Sequence, residues 1–163
     1  MRALGFCVSI SRTQFMARVF NEAGRESLAV WSDTPDEERK AALQNLASSN
    51  LRVLFSVDLF NQGVDVPSVD TLLMLRPSES GTLFLQQLGR GLRHYSGKRV
   101  CTVLDFVGQH RREFRFDMRY SALLGGTRRQ VQKHVENRFP FLPAECHLSL
   151  DPVASTIVLQ SLK

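Results

Sequence analysis

The chain has 163 residues, 43% hydrophobic and 23% charged, with a formal net charge of +5. That length suits one domain, or one domain with an appendage, able to bury a core without staples, and the composition excludes fibrous, collagenous and wholly disordered classes. No apolar run approaches the roughly 20 residues that span a bilayer, no signal peptide opens the chain, and three widely spaced cysteines (Cys7, Cys101, Cys146) point to reduced thiols in a cytoplasmic setting without a cysteine zinc site.

Residues 4–10 (LGFCVSI) read as a strand buried on both faces. Residues 11–23 follow as a helix with Ser11 as its cap, Phe15, Val19 and Ala23 on one apolar face, and Gly24 as its end. Residues 27–31 form a second strand. Thr34-Pro35 then opens a helix running to about Ser49, with three acids in its first turn to suit the helix dipole. Residues 51–57 and 69–75 are two further strands, 80–94 a helix and 99–106 a fifth strand. Five buried strands with intervening helices predict an α/β fold, an open parallel sheet flanked by helices. The pattern changes at Gly125-Gly126-Thr127. A basic amphipathic helix is expected over 128–138, a turn over 139–143 and a last helix over 152–162. Residues 1–124 therefore read as the α/β domain, and 125–163 as a small helical appendage or the start of a further domain.

Charge is uneven. Residues 1–60 are neutral, whereas 86–138 carry twelve basic groups against four acidic. A polyanion such as nucleic acid or nucleotide phosphate would suit that half; so would a merely soluble basic surface. Arg111, Arg115 and Arg119 fall on one helix face, either a phosphate-tracking stripe or a solvated face paired with Glu113 and Asp117. His110, His134 and His147 with Cys146 fit no zinc spacing, and no metal site is expected.

Two motifs carry chemistry. Gln86-Gln87-Leu88-Gly89-Arg90-Gly91-Leu92-Arg93 places two arginines three apart, on one side of a helix, behind a glycine that leaves room for a partner surface. Guanidinium groups stay charged and grip phosphate oxygens with two bonds. Upstream, Ser56-Val57-Asp58-Leu59-Phe60-Asn61-Gln62-Gly63-Val64-Asp65-Val66-Pro67 leaves the carboxyl end of a strand, where α/β proteins bind ligands. There Gly63 permits a turn, Asp65 can accept from ribose hydroxyls, and Ser56 with local amides could hold a phosphate; taken alone, the stretch also reads as an ordinary strand-to-loop exit with the aspartates as helix caps.

Together these motifs resemble motifs V and VI of superfamily-two helicases of the DEAD/DEAH type, especially bacterial members related to type III restriction subunits. Gly5-Phe6-Cys7-Val8-Ser9-Ile10-Ser11 resembles their motif IV. The resemblance covers residues 3–107 and implies a C-terminal RecA-like motor domain. It implies that Arg90 and Arg93 are arginine fingers for ATP bound by a separate N-terminal RecA-like domain of the same protein. It places Gln86 at the same cleft, Gly63 and Asp65 on the nucleotide, and Ser9, Arg12, Ser56, Ser78 and Ser80 on the backbone of a nucleic acid, DNA ahead of RNA. Gln87 departs from the arginine that many relatives carry there, and Ser56 stands where threonine is common. The implied cofactor is ATP with Mg2+, both held mainly by the N-terminal domain.

No Gly-x-x-x-x-Gly-Lys-Ser/Thr or magnesium motif occurs in these residues. Ser96-Gly97-Lys98-Arg99 is too short to cradle phosphates, and its lysine reads as a surface group of a hairpin loop. The chain thus reads as half of an ATPase site, an excised piece of a helicase or translocase expected to be inactive alone. The rival reading is a stand-alone module that binds nucleic acid or protein and has lost the motor.

Overall fold

The computed structural model describes all residues except 58–65, 79, 108–113, 141, 143–144 and 163. Its elements are β1 (Ala3–Phe6), α1 (Ile10–Glu22), β2 (Ser27–Val30), α2 (Asp36–Ala47), β3 (Val53–Ser56), β4 (Thr71–Met74), α3 (Gly81–Gly91), β5 (Thr102–Asp105), α4 (Phe116–Leu124), α5 (Arg128–Glu136) and α6 (Pro152–Leu162). They fall into two compact units, one of Met1–Arg76 with Gln86–Phe106, the other of Pro77–Leu85 with Val107–Lys163. Among the described residues no helix is long and apolar enough to cross a membrane.

The first unit holds a five-stranded sheet in the order β2-β3-β1-β4-β5, with every neighbouring pair parallel. Parallel strands need helical crossovers, which cover the central strands on both faces; β1, β3 and β4 are accordingly buried at all four positions. The edge strands are not. β2 exposes Leu28, and β5 alternates exposed and half-buried residues, so the expectation of five fully buried strands holds for the central three.

Helix α1 also corrects the sequence expectation. Its buried residues are Thr13 and Ala17, with Met16 and Phe20 packed beside them against Val53 and Phe55. Phe20 meets Phe55 edge-on at 5.0 Å between ring centroids. Phe15 and Val19 lie on the outer side, 43% and 37% exposed, with the Arg18 guanidinium 5.5 Å from the Phe15 ring centroid. The cap is Ser9, not Ser11: its hydroxyl accepts from Arg12 N at 3.2 Å. At α2, Pro35 occupies the cap position, and the Thr34 hydroxyl instead accepts from Trp31 N at 3.0 Å. Asp36, Glu37 and Glu38 fill the first turn, where carboxylates oppose the positive end of the helix dipole.

In the second unit, α4, α5 and α6 close over an apolar cluster of Phe114, Phe116, Tyr120, Val131, Val135, Phe139, Val158 and Leu162. Gly125 and Gly126 break the chain between α4 and α5 with φ of 74° and 88°, which side-chain-bearing residues rarely adopt. Asp151 starts α6 by accepting from Val153 N and Ala154 N, both at 2.9 Å. Arg128 donates to the Leu162 and Ser161 carbonyls at 3.0 and 2.6 Å, satisfying orphan acceptors at the far end of that helix.

Candidate functional site

Two groups of the singled-out residues occupy opposite ends of the first unit's sheet. At the carboxyl end of β1, Ser9 caps α1, and its hydroxyl shares a 3.1 Å hydrogen bond with that of Ser11. Arg12 sits in the first turn of α1 with its side chain exposed. Ser56 closes β3, 5% exposed, and its carbonyl accepts from Cys7 N at 2.9 Å, which joins the exits of β3 and β1. Ser9, Arg12 and Ser56 therefore share one end of the central strands. Cys7 beside them is 1% exposed. Burial pushes its thiol above the usual range, outweighing the hydrogen bond to Thr13 and the charge of Arg12. A thiol held protonated is structural rather than nucleophilic.

The second group is built on the end of α3. Gln87, Leu88 and Gly91 are buried, Gln86 and Gly89 are exposed, and Arg90 is half-buried. A Cβ on Gly91 would come within 2.5 Å of Cys101 Sγ and 2.9 Å of Leu72 Cδ1. Leu72 is the second residue of β4 and Cys101 immediately precedes β5, so the helix ends beside the amino termini of those strands. Only a glycine permits that approach. A Cβ on Gly89 would meet nothing within 4 Å among the described residues, so packing does not demand that glycine. Gln87 is 1% exposed with no described partner for Nε2; it faces the interior, not a ligand surface. The helix ends at Gly91, three residues before the expected end at 94. Arg90 therefore lies in the last turn, and Arg93 stands two residues beyond it, exposed.

Lys98 departs most from the sequence reading. Far from a surface group, it is half-buried and its Nζ donates to the carbonyls of Pro67, Val69 and Gly91 at 2.9, 2.9 and 2.8 Å. The signal in the sequence was a lysine just past a helix carrying Gly at its end, where unpaired carbonyls and the negative end of the helix dipole favour a cation.

Gly63 and Asp65 lie outside the described residues. In the second unit, Ser78 is 7% exposed and its hydroxyl donates to the Ser80 carbonyl at 3.5 Å; the Ser80 hydroxyl accepts from Leu83 N at 3.2 Å, in the manner of a cap for α3. Of the face read for Arg111, Arg115 and Arg119, the described residues show the Arg115–Asp117 pairing of the solvated-face reading, but Arg115 and Arg119 do not share a helical face. Arg111 lies outside the described residues, and Arg115 precedes α4 with non-helical backbone. Arg115 holds both carboxylate oxygens of Asp117 at 2.8 Å, and that hydrogen bonding keeps the Asp117 carboxyl below its usual range despite burial. Arg119 is 2% exposed and lies 4.2 Å from the Phe84 ring centroid.

A five-stranded parallel sheet of this order, flanked by helices, is a RecA-like fold of the kind found in helicase C-terminal domains. Among solved structures it is similar to the yeast DEAD-box splicing factor Prp28, with a TM-score of 0.65 and 14% identity over 96% of this chain and 30% of that one. It is also similar to the C-terminal domain of the DEAD-box protein Dbp5, with a TM-score of 0.60 and 15% identity over 74% and 67%. At these identities the likeness is one of fold. Residues 1–95, more than half of the chain, match the sequence profile described as the helicase conserved C-terminal domain, and the chain belongs to that family.

Relatives in sequence include IRC3 of Saccharomyces cerevisiae, which carries the name of an ATP-dependent helicase, at 34% identity over 103 residues, 63% of this chain. The Schizosaccharomyces pombe irc3, whose name adds a mitochondrial setting, is 34% identical over 109 residues, 67% of this chain. A 51.5 kDa Lactococcus phage protein is 33% identical over 106 residues. The chain spans 15%, 18% and 23% of the length of these three.

Proposed function

We propose that the chain is the second motor domain of an ATP-dependent DNA helicase or translocase, working against an N-terminal RecA-like domain of the same protein. The observation that carries this reading is the placement of Arg90 and Arg93 at the end of α3, by the amino termini of β4 and β5, while Ser9, Arg12 and Ser56 lie at the opposite end of the sheet. One domain then serves two ligands without competition between them. The arginines face ATP held by the other domain and stabilise the charge that develops on the transferring phosphoryl group, with Gln86, Gly63 and Asp65 at the same nucleotide. Ser9, Arg12 and Ser56 grip the sugar–phosphate backbone, Ser78 and Ser80 of the second unit are separate candidates for contact with nucleic acid, and closure of the two domains around ATP becomes a step along one strand. Backbone contacts carry little sequence preference. When bound, Mg2+ neutralises phosphate charge. The functional side chains described at the α3 end are guanidiniums, a donor set for phosphate and not for a cation, so the ion belongs with the other domain. The relatives' names favour a motor over the stand-alone module.

The test is a titration of single-stranded DNA and RNA onto the chain over a range of salt. Weak binding that falls steeply and linearly with log salt is expected, since neutralised phosphates release counterions. Tight, salt-insensitive binding, or none at low ionic strength, would contradict the backbone grip. Stronger binding to RNA would reverse the choice of track.

A further inference from the structure

We infer that Lys98 is a positioning residue for the arginine pair, clamping the end of α3 to the segment that follows the Gly63–Asp65 stretch. This rests on the reading above that Arg90 and Arg93 act on ATP. The ammonium has three N–H donors, and all three have acceptors on two different segments: Gly91 O at the end of α3, and Pro67 O and Val69 O just before β4. Gly91 lies between Arg90 and Arg93, and Pro67 lies two residues after Asp65. One side chain thus bridges the two sequence motifs that meet the nucleotide.

The local geometry shows why a bridge is needed. A helix leaves its last carbonyls without intrahelical partners. Leu92 N still bonds Leu88 O at 3.2 Å, but the chain then leaves helical geometry, so the backbone of Arg93 lies beyond the helix that carries Arg90. Lys98 returns to the Gly91 carbonyl seven residues later, and Lys98 N donates to Tyr95 O at 3.0 Å, closing the loop through Gly97 at φ 81°. The arginine-bearing segment 90–98 is thereby tied at both ends. Val66, just before the Pro67 acceptor, and Val69, which carries the other, are 5% and 0% exposed, and Val69 N bonds Val66 O at 3.0 Å. The clamp therefore anchors a loop to a buried, hydrogen-bonded turn. A small displacement of a guanidinium from the transferring phosphoryl group is costly, since misplacement by about 1 Å can lower a rate about 100-fold.

The experiment uses the full-length protein with Lys98→Met, which keeps the aliphatic stem and removes the donors, and Lys98→Arg, which restores donors in a different geometry. Steady-state ATPase and hydrogen exchange of residues 90–98 are measured on each, alone and combined with Arg93→Ala. The expected result is a kcat for Lys98→Met about 10- to 100-fold below wild type with little change in KM for ATP, partial recovery in Lys98→Arg, and no further loss when Lys98→Met is added to Arg93→Ala. Exchange of residues 90–98 rises in Lys98→Met while the central strands stay protected. Unchanged exchange at 90–98 overturns the clamp whatever the kinetics. Faster exchange with wild-type kcat, or losses that add to those of Arg93→Ala, overturns its role in positioning. If Arg93→Ala alone leaves hydrolysis intact, the nucleotide reading of the site fails, and exchange still decides the clamp.

Discussion

In the full-length protein, Arg93→Ala is expected to lower kcat for ATP hydrolysis by about 100- to 1,000-fold, a loss of about 3–4 kcal/mol by analogy with other preorganised donors, while nucleic-acid affinity stays near wild type. The guanidinium matters most when negative charge builds up in the transition state, so the loss appears in kcat more than in KM. Arg93→Lys does not rescue it, because a point charge cannot reproduce a planar grip with two bonds. Arg93 is exposed and beyond the last helical turn, and a thermal melt of the variant separates any effect on folding from the effect on hydrolysis. Ser56→Ala serves as the opposite control, losing strand affinity modestly and keeping basal hydrolysis. An Arg93→Ala protein that melts normally and hydrolyses ATP at near wild-type rate would remove Arg93 from the nucleotide site.

The largest effect on stability is expected from Gly5→Ala. Gly5 pairs with Phe55 in the parallel register of β1 and β3. A Cβ there would lie 2.6 Å from Phe55 Cε1 and closer still to Cδ1. Phe55 is fully buried with Phe20 against its ring, so it has little room to retreat. Overpacking of this kind costs about 1–3 kcal/mol, read as a lower denaturant midpoint with unchanged slope. Combining it with Phe55→Leu should recover part of the loss, since the two changes share one volume. An unchanged midpoint for Gly5→Ala would show that β1 and β3 do not pack as described.

The strands were legible because each central one is a short continuous apolar run, and the motifs because their chemistry is contiguous in sequence. What spacing could not decide was which of two apolar stripes on α1 faces the sheet. Phe15 with Val19 and Met16 with Phe20 are both four apart, and only the sheet's position selects the second pair. Spacing also assigned Arg111, Arg115 and Arg119 one shared face. Arg119 is instead buried over Phe84, an outcome set by tertiary packing, while Arg115 makes the local pair with Asp117 that the solvated-face reading named. Lys98 was misread because its three acceptors lie as many as 31 residues away. The exposed alternation in β5 follows from its place at the sheet edge, which is a fact of topology rather than of its own residues.

In the proposed function the chain supplies arginines to a nucleotide site completed by another domain. The most direct measurement is ATP hydrolysis by the isolated chain, with and without single-stranded nucleic acid. No turnover above background is expected, because the described chain offers guanidiniums at the end of α3 and its sequence holds no phosphate loop. Turnover that survives purification and is lost on Arg93→Ala would show a complete site within these residues and contradict the account.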